Sequence, residues 1–314
     1  MSTTQTTLHI VGAPLDLGAE NLGVDMGPSA FRYQDLVKKL ESTGMAINDL
    51  GDVRCKRRSE VPVGNPKLRY LDEVVRVNEA IAMKTESIMN QQGKALVLGG
   101  DHSICLGAVS GASVALEGNI GLIYFDAHGD MNTDESSMTG NIHGMHLASL
   151  MGFGAKELTE VFGEGVKIRP ENLLHIGGCD LDQAEIDLMK RENLQTFTIL
   201  DLLTQNMAPL FPMIDALSKK VDNIWVSLDL DAIDALYAPG AGMPNQKGLT
   251  YREIAAIAEY IGKHCNVVGV DVVEYNPLQD IDRKTAGLAT ELIATFFGKQ
   301  YSWYTQYLAS NKNN

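Results

Sequence analysis

The sequence predicts an α/β fold, an eight-stranded, mainly parallel sheet with helices on both faces. Three observations carry that expectation. Short apolar runs alternate along the chain with longer segments of helical periodicity, the pattern of repeated strand–helix units. The apolar runs are near-continuous rather than alternating, so they read as strands covered on both faces. No linker or low-complexity segment interrupts the 314 residues, which therefore read as a single domain over 1–314.

Taken in order, Leu8–Pro14 is the first strand. A glycine-rich loop from Gly18 to Gly27 follows, and Pro28-Ser29 opens a helix that reaches about Leu40 before Gly44. Ala46–Gly51 is a weaker strand, and residues 53–66 form a polar loop. A long helix is expected from about Leu68 to Asn90, with Leu71, Val74, Val75, Ile81 and Ile88 near helical spacing. Further strands are expected at 95–99, 120–125, 173–177, 196–200, 224–228 and 267–273, with helical patterns at 182–192 and 250–264 among those between and beside them. The tail from Thr290 reads as helical with a polar end.

Composition narrows the function. A hydrophobic content of 45% supports a full core, and a net charge of −14 weighs against a nucleic-acid binder, which would be basic. The one basic cluster, Arg54-Cys-Lys-Arg-Arg58, reads as a solvated loop. No apolar stretch approaches the roughly 20 residues of a membrane span, and Met1–Thr7 has no charged region followed by an apolar one. Cys55, Cys105, Cys179 and Cys265 lie far apart without a CxxC, as expected of reduced, partly buried thiols in a cytosolic protein. There is no GxGxxG after a strand, no GxxxxGK[ST] and no GxSxG, so dinucleotide, P-loop and serine-hydrolase sites find no support.

What remains is a set of acids and imidazoles at expected strand ends, where open α/β sheets bind ligands. His102 follows the strand at 95–99. Asp126, His128 and Asp130 follow 120–125 at every second position, a spacing that points them one way if the backbone stays extended. Asp229 and Asp231 follow 224–228 with the same spacing, and Glu274 follows 267–273. Uncompensated buried acids cost several kcal/mol each, and metal ions are the natural compensation. Two imidazoles and four aspartates exceed the needs of one ion that must also admit substrate. Two divalent ions with bridging carboxylates balance the charge, and an oxygen-rich set with some imidazole suits manganese better than a thiolate-loving metal. Such a pair generates hydroxide from a shared water. His9, His146, His175 and His264 lack this context and read as structural, with His146 nearest the site.

Together, Gly99-Gly-Asp-His-Ser103, Asp126-Ala-His-Gly-Asp-Met-Asn132, Ser227-Leu-Asp-Leu-Asp231 and Val273-Glu-Tyr-Asn-Pro277 resemble the ureohydrolases. Thr139-Gly-Asn-Ile-His-Gly-Met145 narrows the resemblance to the arginases. The resemblance spans most of the chain and implies two Mn2+ per subunit and assembly as trimers or hexamers; with the cysteine pattern, charge and hydropathy above, the expectation is a cytoplasmic enzyme with no nucleic-acid or membrane partner. It implies hydrolysis of L-arginine to L-ornithine and urea by a metal-bridging hydroxide. One ion would be held by His102, Asp126, Asp130 and Asp229, the other by His128, Asp126, Asp229 and Asp231. Glu274 resembles the carboxylate that clamps the guanidinium, Asp130 the residue that moves the proton to the leaving amine, and His143 the shuttle to solvent. Asn132, Ser137 and Thr139 fall where the α-carboxylate is bound, and Asp182 where the α-ammonium is held. Asp182 is equally placed to cap the helix at 182–192. An agmatinase or another guanidino-compound amidinohydrolase is the alternative; agmatine has no α-carboxylate to engage these groups. The sequence departs from the family in the loop Gly18–Leu22, which lacks an arginine, and at Ala232, Ala235, Tyr237 and Gly240.

Overall fold

A computed structural model describes residues 6–300. Eight strands form one fully parallel sheet: β1 (Thr7–Ala13), β2 (Ala46–Asp52), β3 (Lys94–Gly99), β4 (Gly121–Phe125), β5 (Leu173–Ile176), β6 (Gln195–Phe197), β7 (Ile224–Asp229) and β8 (Val267–Val273). Their spatial order is β2-β1-β3-β8-β7-β4-β5-β6. Strands β3 and β4 are consecutive in the chain but lie two strands apart, with β7 and β8 inserted between them. The four central strands are thus β3, β8, β7 and β4, and each ends beside one of the polar segments singled out above.

Alternation along the strands divides the interior in two. Leu96, Leu98, Ile123, Phe125, Val226 and Leu228 face one core, covered by helices that include Tyr251–His264 and Lys284–Phe296. Ala95, Val97, Leu122, Tyr124 and Trp225 face the other, covered by helices Leu71–Asn90 and Cys105–Ala115. These last two helices pack at backbone distance. A Cβ on Gly107 would lie 2.2 Å from the Asn78 carbonyl oxygen, and one on Gly111 would lie 2.1 Å from that of Ala82. Only glycine permits that approach, which seats the helix beginning at Cys105 directly behind His102.

Four local expectations are revised. The segment 196–200 is strand only to Phe197. Thr198 then caps a helix, accepting from the Asp201 N–H at 3.2 Å while Asp201 accepts from the Thr198 N–H at 2.9 Å. This reciprocal cap was written in the sequence as Thr-x-x-Asp. The helix expected over 28–40 is broken by Asp35, whose φ of 55° is left-handed, into Gly27–Arg32 and Leu36–Glu41. The long helix begins at Leu71, because Leu68–Arg69 pairs antiparallel with Gly64–Asn65. The basic cluster is not simply a solvated loop. Arg58 donates to the carbonyls of Asp16 and Ala19 (2.9 Å for the latter), and Lys56 pairs with Glu73 at 3.2 Å. The helix anticipated from Thr290 is the end of Lys284–Phe296, and its polar end beyond residue 300 lies outside the described residues. Among the described residues no helix is long and apolar enough to cross a membrane.

Candidate metal centre and active site

The sheet's central register sets the site. Phe125 pairs with Leu228, and Leu228 with Val272, so Asp126 and Asp229 emerge side by side one residue later. The two Asp-x-x segments do not stay extended as expected. Each closes a turn on its own aspartate: Asp126 Oδ1 accepts from the His128 N–H at 2.7 Å, and Asp229 Oδ1 from the Asp231 N–H at 2.8 Å. Aspartate favours this local bond, and it turns the residue two further on toward the same point. Asp130 (φ 49°) and Glu274 (φ 59°) sit in the left-handed region, a strain of order 1–3 kcal/mol each that surrounding contacts must hold.

His102 Nδ1 lies 3.0 Å from Asp126 Oδ2, 3.1 Å from Asp229 Oδ2 and 3.4 Å from Asp130 Oδ2. His128 Nδ1 lies 3.1 Å from Asp231 Oδ2 and 3.4 Å from Asp126 Oδ1. Asp126 therefore turns one oxygen to each imidazole. The six expected ligands converge, and all except His128 are buried. At an effective dielectric of about 20, two like charges about 4 Å apart repel by about 4 kcal/mol, so four aspartates cannot all ionise here unaided. Burial and then Asp126 push Asp130 well above the usual carboxylate range. Burial and then Asp231 do the same to Asp229, and burial with Asp126 raises Asp231 to about 6. Burial opposes ionisation of Asp126 as well, but hydrogen bonds from His102 and His128 override it and hold Asp126 well below that range. Without cations, protons fill the role that cations would take. Three or more of these side chains can place ligand atoms around one ion in two overlapping groups, His102–Asp126–Asp229 and Asp126–His128–Asp231. The donor set is oxygen with imidazole, which fits two divalent ions of the manganese type.

Buried partners that the sequence reading passed over orient these ligands. Ser227 Oγ donates to Asp271 at 2.6 Å, so it accepts from His102 Nε2–H at 2.8 Å and turns Nδ1 to the aspartates, where a metal would replace its proton. Trp225 Nε1 donates to the other Asp271 oxygen. His175 Nε2 donates to the Asp126 carbonyl at 3.2 Å. Asp101 ties the His102 turn to the Gly18 N–H at 2.8 Å. Tyr124 and His146, both fully buried, sit against His102. The signal for Tyr124 was its position two residues before Asp126 on the same strand face; His146 had only its nearness in sequence.

Above the ligands opens a cavity of about 300 Å³, lined among others by His128, Asn132, His143, Asp182, Met243 and Glu274. Glu274 Oε1 accepts from the His102 N–H at 3.0 Å and lies 3.3 Å from His143 Nδ1. Its other oxygen faces Gly242, where a Cβ would come within 2.3 Å. Burial disfavours the charged form of His143, but Glu274 outweighs it and raises the imidazole to about 9. Asn132 Nδ2 donates to Asp182 Oδ2 at 2.8 Å, while Asp182 Oδ1 caps the helix Gln183–Arg191 through the Glu185 N–H. The cap and the cavity-wall position coexist in one side chain. Ser137 and Thr139 do not line the cavity; their hydroxyls accept from the Gly140 and Asn141 N–H groups. Asp180 and Glu185 line it instead. The divergent loop after Asp231 is well tied: the Leu249 N–H donates to the Ala232 carbonyl at 2.8 Å, and Asn245 donates to the Asp231 carbonyl.

A family model described as the Arginase family matches residues 6–298. The chain belongs to the arginase family. It is 41% identical over 292 residues to the arginase of Brevibacillus brevis, covering 93% of this chain and 97% of that one. The arginase structure from Bacillus caldovelox superposes with a TM-score of 0.89 at 38% identity, covering 95% of this chain and all of that one. That of Entamoeba histolytica arginase in complex with L-ornithine gives 0.86 at 29%, covering 94% of this chain and all of that one.

Proposed function

We infer that this chain is an arginase that hydrolyses L-arginine to L-ornithine and urea at a centre of two Mn2+. The observation that carries the reading is the convergence of His102, Asp126, His128, Asp130, Asp229 and Asp231 at the ends of the central strands, under a cavity with Glu274 on its wall. When bound, the two cations lower the pKa of a shared water and supply the nucleophile that a delocalised guanidinium otherwise lacks.

The chain's own residues do the rest. Asp126 and Asp229 would be shared between the two cation positions; His102 and Asp130 would complete one ligand set, and His128 and Asp231 the other. Glu274 pairs with the planar N–H fork of the guanidinium and holds its carbon over the ligand cluster. Asp130, as a carboxylate beside the attacked carbon, would take the proton released on attack and pass it to the leaving amine. His143, one-fifth exposed at the cavity mouth, exchanges that proton with solvent. Asn132 and Asp182 bind the α-substituents, and Ser137 and Thr139 contribute from the rim.

Because Ser137 and Thr139 do not line the cavity, an agmatinase remains the second reading. The Asn132–Asp182 pair on the wall favours arginine, since its amide and carboxylate offer partners to an α-carboxylate and an α-ammonium, and agmatine lacks the first. A substrate panel on Mn2+-loaded protein decides: urea and ornithine from L-arginine, with agmatine turned over far more slowly, supports the reading, and preference for agmatine reverses it. On the family likeness we extend the proposal to a single-domain cytoplasmic protein that assembles as a trimer or hexamer and needs no nucleic acid or membrane. Sedimentation of the full chain reads the assembly.

A further inference from the structure

The hydroxyl of Tyr124 stands within hydrogen-bond reach of four polar groups at once. Its Oη lies 2.7 Å from Asp130 Oδ2, 2.9 Å from Asp126 Oδ2, 3.1 Å from His102 Nδ1 and 3.2 Å from His146 Nε2. His102 Nε2 is committed to Ser227, so Nδ1 is the ring atom that His102 turns to this cluster. His146 Nδ1–H donates to the His143 carbonyl at 2.6 Å, so its Nε2 is also an acceptor. A phenol has one proton. It can serve one of these four neighbours, which leaves the oxygen lone pairs facing the rest in a fully buried place.

The contacts also fall on the inner side of the cluster. Asp126 offers Tyr124 the same oxygen, Oδ2, that it turns to His102, and its other oxygen goes to His128. A hydroxyl that merely supported a ligand from behind would meet the outward atoms. Oη instead stands among the atoms that would face a cation. For bonds of about 2.1 Å, adjacent corners of an octahedron are about 3 Å apart, the spacing observed here.

We propose that Tyr124 is a further ligand of the cation on the His102 side, its phenol oxygen aimed by a hydrogen bond to His146. The O–H donates to His146 Nε2, and the oxygen lone pair faces the ion together with His102, Asp126, Asp130 and Asp229. That raises the protein donors on this side from four to five, while the His128 side keeps four. The two positions are therefore unequal, and the His102 side is the tighter. Cys105 lies on the same wall, but burial pushes its thiol up to about 12, which leaves it a neutral side chain rather than a thiolate donor. The proposal rests on the two-ion reading above.

The test titrates the metal-free full chain with Mn2+ alone and with Co2+ alone, following heat and visible absorption. The parent protein is expected to take up two ions with unequal affinity. Tyr124→Phe should still reach two ions at saturation, with the tighter affinity reduced roughly tenfold or more and with stronger Co2+ absorption, as a lost ligand lowers the coordination number. His146→Ala should weaken the same site less. Equal affinities and an unchanged Co2+ spectrum in Tyr124→Phe would overturn the proposal. If that variant does not fold, ultraviolet difference absorption of the parent protein on adding Co2+ replaces it: a tyrosine band supports coordination, and its absence overturns it. Failure of the parent protein to bind two ions would strike the two-ion reading itself, a different result from two ions bound without Tyr124.

Discussion

The floor of the cavity and its rim obey different physics. On the floor, His102, Asp126, Asp229 and Asp231 are at most 3% exposed, and their positions are fixed by strand register, turn closure and buried partners. On the rim, Asn132 is half-buried while Asp182 and Thr139 are exposed, and their bonds are local to the loop and to one helix start. Floor groups have no solvent to fall back on, so each depends on the others and on cations. Rim groups are solvated when the ligand is absent, so each can be exchanged at little cost to the fold. Effects of substitution should therefore descend from floor to rim.

The largest effects belong to the bridging positions. Asp126→Asn or Asp229→Asn should weaken metal binding by at least about 100-fold, about 3 kcal/mol, because a buried charge loses its partner, and activity should vanish with the metal. Metal stoichiometry after dialysis checks this, and unchanged stoichiometry in both variants would break the bridging assignment. Next comes the cavity wall. Glu274→Gln should keep both ions yet lower kcat/KM for arginine roughly 10–100-fold, the worth of a charge-assisted pair. Gly242→Ala should act in the same direction and less, since its Cβ would displace the Glu274 carboxylate. Smaller still, Asp182→Ala should cost about 1 kcal/mol of stability through the lost helix cap and narrow the preference for arginine over agmatine. Ser137→Ala and Thr139→Ala should change kinetics by no more than a few-fold.

A pair remote from the cavity gives a control that metal should not touch. Hydrogen bonding from Arg76 outweighs burial and, with the Lys56 N–H, holds Glu73 down at about 2. Its folded value lies below its unfolded one, so it adds stability above the ordinary carboxylate range and loses it as pH falls toward about 2. Glu73→Gln should be less stable at neutral pH, with the difference shrinking across that acid window in denaturant titrations, with or without metal.

Legibility in the sequence followed the same gradient. The parallel sheet was readable because doubly covered strands leave near-continuous apolar runs, as in Leu122–Phe125 and Val267–Val273. The floor residues were readable because acids directly after such runs demand compensation. That Asp126 and Asp229 converge through turns rather than extended backbone was not, since the closing bond joins a side chain to an N–H two residues on, and the i, i+2 spacing fits either geometry. Ser227, Asp271 and Tyr124 were hidden inside strands, where a polar residue gains meaning only from its neighbours across the sheet. The rim was the least legible: loop conformation, not composition, decides that Asp180 and Glu185 line the cavity while Ser137 and Thr139 do not.

The most direct test is metal content measured together with thermal unfolding of the full chain before and after chelation. A floor built for two cations predicts two divalent ions per chain. It also predicts a clear fall in melting temperature when they are stripped, each ion adding about 4 kcal/mol at a free concentration about a thousandfold above its Kd. Fewer than one ion per chain, with the same melting temperature in chelator, would mean that the crowded aspartates are stabilised by protons alone, and would contradict the account.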